Sequence, residues 1–365
     1  MRQTTSAFHE IVINQMPLID VRAPVEFAAG SFPGAVNLPI MDDEERHLVG
    51  ICYKEQGQQA AIDLGHQLVH GEKKSQRVAA WIELTNQYPE ARLYCFRGGL
   101  RSRIARQWFS EACGRTIPRL EGGYKAFRRY LLEHLEPEWL RTQPIIIGGR
   151  TGVGKTLLLR QLQGLIDLEA LANHRGSAFG RYLTPQPSQI DFENRLACEL
   201  IRHEHRDEPY LLLEDEGTHI GRCYLPPRLV QFFNVDNLVL MERPLGQRVR
   251  IIFDEYVTSS QAEYCRVHGE EEGREVWLSD MIGSVGRIKK RLGGKRTQAI
   301  TTLMEAGFRQ QMEGGNGASH REWIEILLRD YYDPMYDYQL KKKSDKIRFT
   351  GSPEEVLGFL RSLGR

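Results

Sequence analysis

"PIIIGGRTGVGKTLLLRQLQ", residues 144–163, decides how the second half of this chain folds. Pro144 to Gly148 is an apolar run of strand length. Gly149-Arg150-Thr151-Gly152-Val153-Gly154-Lys155-Thr156 then fits G-x-x-x-x-G-K-[ST], and a leucine-rich stretch of helical character follows. In such a loop Gly149, Gly152 and Gly154 let backbone N–H groups close around phosphate oxygens, and the helix start adds positive potential. Lys155 is placed to reach an outer phosphate and Thr156 to hold a magnesium ion. Strand, loop and helix in that order imply a parallel βαβ unit. The loop itself names a phosphoryl group as ligand and leaves open whether ATP is ever bound.

A metal-side carboxylate is expected at the end of a later strand. "YLLLEDEG" (210–217) supplies Glu214, Asp215 and Glu216 after an apolar run, and Asp215 is the favoured candidate. Alternation along a strand leaves open which of the three turns toward the phosphate. A helix is expected over 189–204, "NLVLMER" reads as a further strand, and 245–330 reads as mostly helical.

At 365 residues the chain exceeds what one core usually supports, so two domains are expected, 1–135 and 140–365. The net charge of +1 excludes bulk basicity, so any nucleic-acid site must be a local patch. No apolar run reaches the length of a membrane span, and the first residues lack the features of a signal peptide. The six cysteines are scattered, with neither a CxxC pair nor a zinc spacing. Reduced thiols and a cytoplasmic location are therefore expected, and no dedicated metal site is read.

The N-terminal half is punctuated differently. "MPLIDVRAPVEFAAGSFPGAVNLPI" (16–40) reads as strand, loop, short helix, turn and strand. Residues 60–72 and 76–87 carry helical periodicity. "ARLYCF" is a further strand, followed by Arg97-Gly98-Gly99 and the helical "LRSRIARQWFSEAC". Cys95 thus stands where a strand meets a helix start, in a loop with Arg97, Gly98, Gly99, Arg101 and Arg103. Loop amides, the helix dipole and the arginines favour its thiolate, the form a sulfur nucleophile needs. Cysteine-dependent phosphatases share the spacing from Cys95 to Arg101, but here Tyr94 precedes the cysteine where many of those enzymes have histidine.

"DVRAPVEF" and "GSFPGAVNLP" resemble the rhodanese signature, in which Asp20, Arg22 and Glu26 would form an ion-paired frame. Together with "YKEQGQQAAIDLG", "CFRGGLRSR", "GGYKAFRRY", "GGRTGVGKT", "DLEALANHRGSAFG", "EDEGTHIG", "RLGGKR" and "LLRDYYDPMYDYQL", they make almost the whole chain similar to the tRNA 2-selenouridine synthases. That resemblance implies an α/β fold: an N-terminal rhodanese-like domain, then a P-loop NTPase-like parallel-sheet domain with a helical extension. It also implies replacement of sulfur by selenium in wobble 2-thiouridine of tRNA. On the same resemblance selenophosphate would be the donor, and an S-geranyl intermediate would be made from geranyl diphosphate.

On this resemblance Cys95 would act in the selenium step, while Arg97, Gly98, Gly99 and Arg101 hold selenophosphate. Gly149 to Thr156 would bind a diphosphate, from geranyl diphosphate or a nucleotide. Asp167, Glu169, His174, Arg175 and Ser177 would serve the substrate or magnesium side. The anticodon region of tRNA needs cations, and Arg287, Lys289, Lys290, Arg291, Lys295 and Arg296 form one basic stretch, with "KKKSDKIR" (341–348) a second. Tyr331, Tyr332, Tyr336 and Tyr338 are candidates for stacking on a splayed base. The competing readings are a P-loop kinase with an inert rhodanese domain and a non-catalytic RNA-binding module. The oligomeric state is not set by the sequence.

Overall fold

A computed structural model describes Thr4, Thr5, residues 7–234 and residues 236–363. The chain packs as two units, Met1–Trp139 with Pro187–Arg206, and Leu140–Gln186 with Asp207–Arg365.

In the first unit β1 (Thr4–Thr5), β2 (Leu18–Asp20), β3 (Ala35–Asn37), β4 (Arg92–Tyr94) and β5 (Arg119–Leu120) form a parallel sheet in the order β1-β5-β4-β2-β3. Parallel neighbours need crossovers, and helices such as Asp43–Leu68, Gly71–Gln87 and Leu100–Cys113 supply them. Helices over a parallel sheet demand continuous apolar strands, and Leu18, Ile19, Leu93 and Tyr94 are fully buried. Trp81 closes this core and donates its Nε1–H to the Leu38 carbonyl at 2.9 Å.

The helix Gln189–His205 departs from the linear division at 135–140, because it belongs to the first unit. Its buried Phe192, Leu196 and Leu200 face a unit whose helices Phe8–Ile13 and Gly123–Glu133 pack against it. Ser31 N donates to Asp191 at 2.7 Å and Asn194 Nδ2 donates to the Ser31 carbonyl at 2.6 Å. Helical periodicity reports that one face is covered, not which elements cover it.

In the second unit β6 (Pro144–Gly148), β7 (Leu211–Glu214), β10 (Leu238–Met241) and β11 (Ile347–Gly351) form a parallel sheet in the order β11-β10-β6-β7. A short antiparallel hairpin, β8 (His219–Ile220) with β9 (Cys223–Tyr224), follows β7. Two findings differ from the sequence-based expectation. The helix after the phosphate loop spans only Lys155–Leu159, since the chain turns at Gly164 (φ 79°) and Leu165 bridges back to Leu212. The basic run 341–348 ends inside β11, an edge strand. The helical extension runs from Leu245–Phe253 to Asp333–Lys341 around Trp277, Met281, Ile300, Met304 and Trp323. Among the described residues no helix is long and apolar enough to cross a membrane.

Candidate functional site

Cys95 follows β4 directly and is 3% exposed. Its loop is fastened by backbone bonds: Tyr124 N donates to the Cys95 carbonyl and Lys125 N to the Phe96 carbonyl, both at 2.9 Å. Gly123 (φ 61°) makes this possible, because a Cβ there would overlap the Cys95 carbonyl oxygen and the Gly98 nitrogen. The Cys95 thiol donates to Ser102 Oγ at 3.3 Å, and Ser102 donates in turn to the Gly99 carbonyl at 3.1 Å. Arg119 reaches the same place from β5, donating to the Gly98 carbonyl at 2.9 Å and to Ser102 Oγ at 3.3 Å. It is 8% exposed and its Nε has no partner among the described residues. Sequence reasoning missed Arg119 and Ser102. The available signal for Arg119 was a charge inside a buried strand, which calls for a partner.

The expected arginine cradle needs revision. Arg101 forms a forked pair with Glu26, at 2.5 and 3.1 Å, and Arg46 adds an ion pair to the same carboxylate at 3.1 Å. Burial opposes the charge of Glu26, yet Arg101 holds its carboxyl below the usual range. The Arg101 charge is thus answered inside the protein, whereas Arg97 is exposed beside the loop amides. In the frame read from "DVRAPVEF", Asp20 pairs with Arg22 at 2.6 Å, fully buried, and Glu26 serves Arg101 instead.

The phosphate loop of the second unit is braced by arginines. Arg243 Nε donates to the Val153 carbonyl at 2.9 Å. Arg248 donates to the Thr151 carbonyl at 3.1 Å and forks onto Asp333 at 2.8 and 2.6 Å. Lys155 lies over the loop, 3.4 Å from the Gly149 carbonyl. Thr156 Oγ1 donates to Glu214 at 2.7 Å. Asp215 therefore does not hold the position expected of it. Successive strand residues face opposite ways, and Asp215 pairs with Lys343 at 2.6 Å beside a cavity of about 230 Å³. Glu214 and Glu216 point with the loop and meet Glu169, the three carboxylates lying within 4.8 Å of one another. Gly176 (φ 66°) allows that approach, since a Cβ would overlap Glu169.

Burial and the charges of Glu214 and Glu216 push Glu169 up to about 9. Burial likewise pushes Glu216 up to about 7, against the attraction of Lys155. Such a cluster stores unfavourable charge that a proton or a hard cation relieves, and oxygen donors suit magnesium.

The other expected residues build the walls. Asp167 caps the helix Leu168–Ala172 and pairs with Arg160 at 3.3 Å. His174 is buried, and its Nδ1 accepts from Gly176 N at 3.1 Å, which leaves the ring proton on Nε2. Burial, with Arg181 and Arg175, lowers its pKa and keeps the ring neutral. Arg175 stacks on Tyr182 at 3.9 Å and pairs with Glu255 at 3.3 Å. Ser177 shares a hydrogen bond with Tyr256 at 3.0 Å. A small apolar recess of about 30 Å³, lined by Thr151, Phe179, Ile252, Tyr256, Trp323 and Tyr332, abuts the loop.

Lys289, Lys290, Arg291, Lys295 and Arg296 are exposed around the break at Gly293, and Arg287 is exposed while bonded to the Ala178 carbonyl at 3.0 Å. In the second basic run Lys343 pairs with Asp215, and Lys346 donates to Asn234 at 2.9 Å. That run is thus partly consumed in holding the fold. Tyr332 is a core residue, Tyr336 is largely enclosed near Gly148, and Tyr338 is the exposed member of the four.

Comparison with known proteins places these features. The profile of the rhodanese-like domain matches residues 5–130 and that of the tRNA 2-selenouridine synthase AAA domain matches residues 142–364. A tRNA 2-selenouridine synthase of Sulfurovum sp. (strain NBC37-1) is 50% identical over 98% of this chain and 98% of its own. Its counterpart in Marinobacter nauticus is 49% identical, covering 99% of this chain and 98% of its own. That of Pseudomonas putida (strain GB-1) is 46% identical, covering 100% and 99%.

Proposed function

This chain belongs to the tRNA 2-selenouridine synthase family, and on that premise we propose that it exchanges sulfur for selenium in wobble 2-thiouridine of tRNA in two steps. First the thiocarbonyl sulfur is alkylated by geranyl diphosphate. Then selenium, supplied by selenophosphate, displaces the S-geranyl group.

The carrying observation is that one chain holds a phosphate-loop motif and a strand-end cysteine loop, each built within its own unit. One is a phosphate loop braced by Arg243 and Arg248, and the other is a buried cysteine whose thiol meets Ser102 Oγ, which Arg119 also reaches. The diphosphate of the prenyl donor would sit on the first, with its two phosphates on Gly149–Thr156 and Lys155 answering the charge that grows on the departing diphosphate. In that step sulfur bonds to the prenyl carbon, the carbon–oxygen bond breaks with its electron pair on diphosphate, and the base N3 proton is lost. Thr156 and Glu214 would hold a magnesium ion, which supplies further neutralisation of the diphosphate.

Cys95 acts in the second step. Selenium in selenophosphate is already at the selenide level, so loading it onto Cys95 as a selenosulfide would demand an oxidant. Displacement balances without one. The Cys95 thiolate adds to C2 and the geranyl thiolate departs with the bonding pair and takes a proton. Selenide, freed from selenophosphate as water takes the phosphoryl group, then adds at C2 and expels Cys95. Ser102 can turn its hydroxyl toward a sulfur anion while Arg119 donates to its oxygen.

The test is nucleoside mass spectrometry on 2-thiouridine tRNA incubated with the protein, each donor being omitted in turn. Selenouridine should need both donors, and the S-geranyl nucleoside should accumulate without selenophosphate. Lys155→Ala should stop alkylation, whereas Cys95→Ala should alkylate and not selenate. Loss of the same step in both variants, or ATP-dependent phosphoryl transfer in place of either product, would refute the assignment.

A further inference from the structure

The first unit contains a cavity of about 340 Å³ that neither anion site uses. Its walls are apolar, formed by Ile40, Val49, Ile62, Val69, Ile104 and Trp108. Val69, Ile40 and Trp108 are nearly fully buried, so the floor is core and not loose surface. A dry cavity of roughly 150 Å³ accepts benzene, so this one has room for a hydrocarbon of about ten carbons or a little more by the same measure.

Two features relate it to Cys95. Leu100, Arg101, Arg103 and Ile104 line it, and all four lie in the first turns of the helix that the cysteine loop leads into. Polar residues line both walls: Arg103 on that helix is exposed, and His66 and Gln58 face the cavity from the helix across it, both exposed as well. A guest with an apolar body and an anionic or nucleotide head fits that division. The opposite wall is the helix Asp43–Leu68, which breaks at Gly57 (φ 87°, ψ −175°). The break lies between two lining residues, Gln58 and Tyr53, whose ring is 58% exposed. Tyr53, Gln58, Ala61, Ile62 and Gly65, all from the stretch "YKEQGQQAAIDLG" that no step assigned so far employs, line the cavity.

We propose that this cavity binds the apolar chain of the S-alkylated nucleoside and holds the thiol that departs when C2 is attacked beside Cys95. The identity of the guest rests on the two-step reading above. A chain seated here is presented to the cysteine loop only after alkylation, so the selenium site would select the alkylated base over the thiocarbonyl.

The experiment uses the full chain, selenophosphate and RNA carrying either S-geranyl- or S-methyl-2-thiouridine, with selenouridine quantified over time. The wild type should convert the S-geranyl RNA at least about tenfold faster than the S-methyl RNA, for which the cavity has no role. Ala61→Trp fills the cavity from a buried lining position, and Ile62→Phe does so more gently should tryptophan disturb folding. Either variant should bring the S-geranyl rate down to the S-methyl rate. The S-methyl rate, and alkylation of 2-thiouridine tRNA by geranyl diphosphate, should stay within about twofold. Retention of the geranyl preference in a folded variant overturns the cavity assignment alone. Failure of the wild type to use S-geranyl RNA at all overturns the two-step reading and the assignment with it.

Discussion

Replacing Gly123 by alanine isolates the contact that seats the cysteine loop. Gly123 sits at φ 61°, where an L-residue pays about 1–2 kcal/mol. Its Cβ would also overlap the Cys95 carbonyl oxygen and Gly98 nitrogen and come within 3.0 Å of the Arg97 carbonyl carbon. All three atoms are backbone, so the loop must move as a piece, and overpacking of that kind adds about 1–3 kcal/mol. The sum is about 2–5 kcal/mol, or roughly 4–20 °C in the melting of a unit of this size. Gly114 is the control: it lies in the same unit at φ 70° with nothing within 4 Å of a built Cβ. Gly114→Ala should therefore lose only the backbone part, about 1–2 kcal/mol. Calorimetry of both variants gives the difference. Iodoacetamide labelling reports the loop, because the Cys95 thiol is 3% exposed and should react faster once displaced. Selenation should fall with it while alkylation at the phosphate loop persists. If Gly123→Ala melts no lower than Gly114→Ala and labels at the wild-type rate, the close backbone packing does not hold the loop.

The acidic cluster gives a pH signature. The unfolded carboxylates titrate near 4.5 and the folded Glu169 near 9, so their contribution is most favourable below 4.5 and is lost as pH rises toward 9. Glu169→Gln should therefore stabilise the protein relative to wild type at pH 8.5 and do so much less at pH 5, as read from melting curves at both. Magnesium should raise the wild-type melting temperature more at pH 8.5 than at pH 6, with Glu214→Ala losing that response; equal shifts at both pH values would argue against cation binding at the cluster. Glu26→Gln should free the Arg101 guanidinium and weaken the first turn of its helix, lowering stability by about 1–3 kcal/mol, as expected for a charged hydrogen bond left unmade. Lys289→Gln with Lys290→Gln should flatten the salt dependence of tRNA affinity by about 0.7–0.9 per lost phosphate contact.

Much of this site could be read from residue order. The phosphate loop was legible because its glycines and lysine are contiguous and flanked by a strand, and Cys95 because two glycines and three arginines surround it. What was illegible depends on contacts distant in sequence. Glu214 rather than Asp215 faces Thr156 because of strand phase, which an apolar run buried on both faces does not display. The fork of Glu26 on Arg101 spans 75 residues, and Arg119 reaches Ser102 from a neighbouring strand. The edge strand Ile347–Gly351 was masked by the lysines that precede it, whose charges suggested a nucleic-acid surface. The shortness of Lys155–Leu159 follows from a return bridge to Leu212 that no local propensity encodes.

The helix Gln189–His205 has a consequence for anyone dividing the gene. The chain leaves the second unit at Gln186, completes the first, and resumes at Asp207. A fragment ending at Trp139 would lack that helix and uncover the surface now met by Phe192, Leu196 and Leu200, inviting aggregation. The complementary fragment would carry the same three side chains into water on a segment with no home. Separate expression of the two halves would thus report on damaged pieces, and inactivity of either would say nothing about its chemistry. Point variants in the intact chain, or a fragment that carries 187–206 on a new linker, are the forms in which the two activities can be told apart.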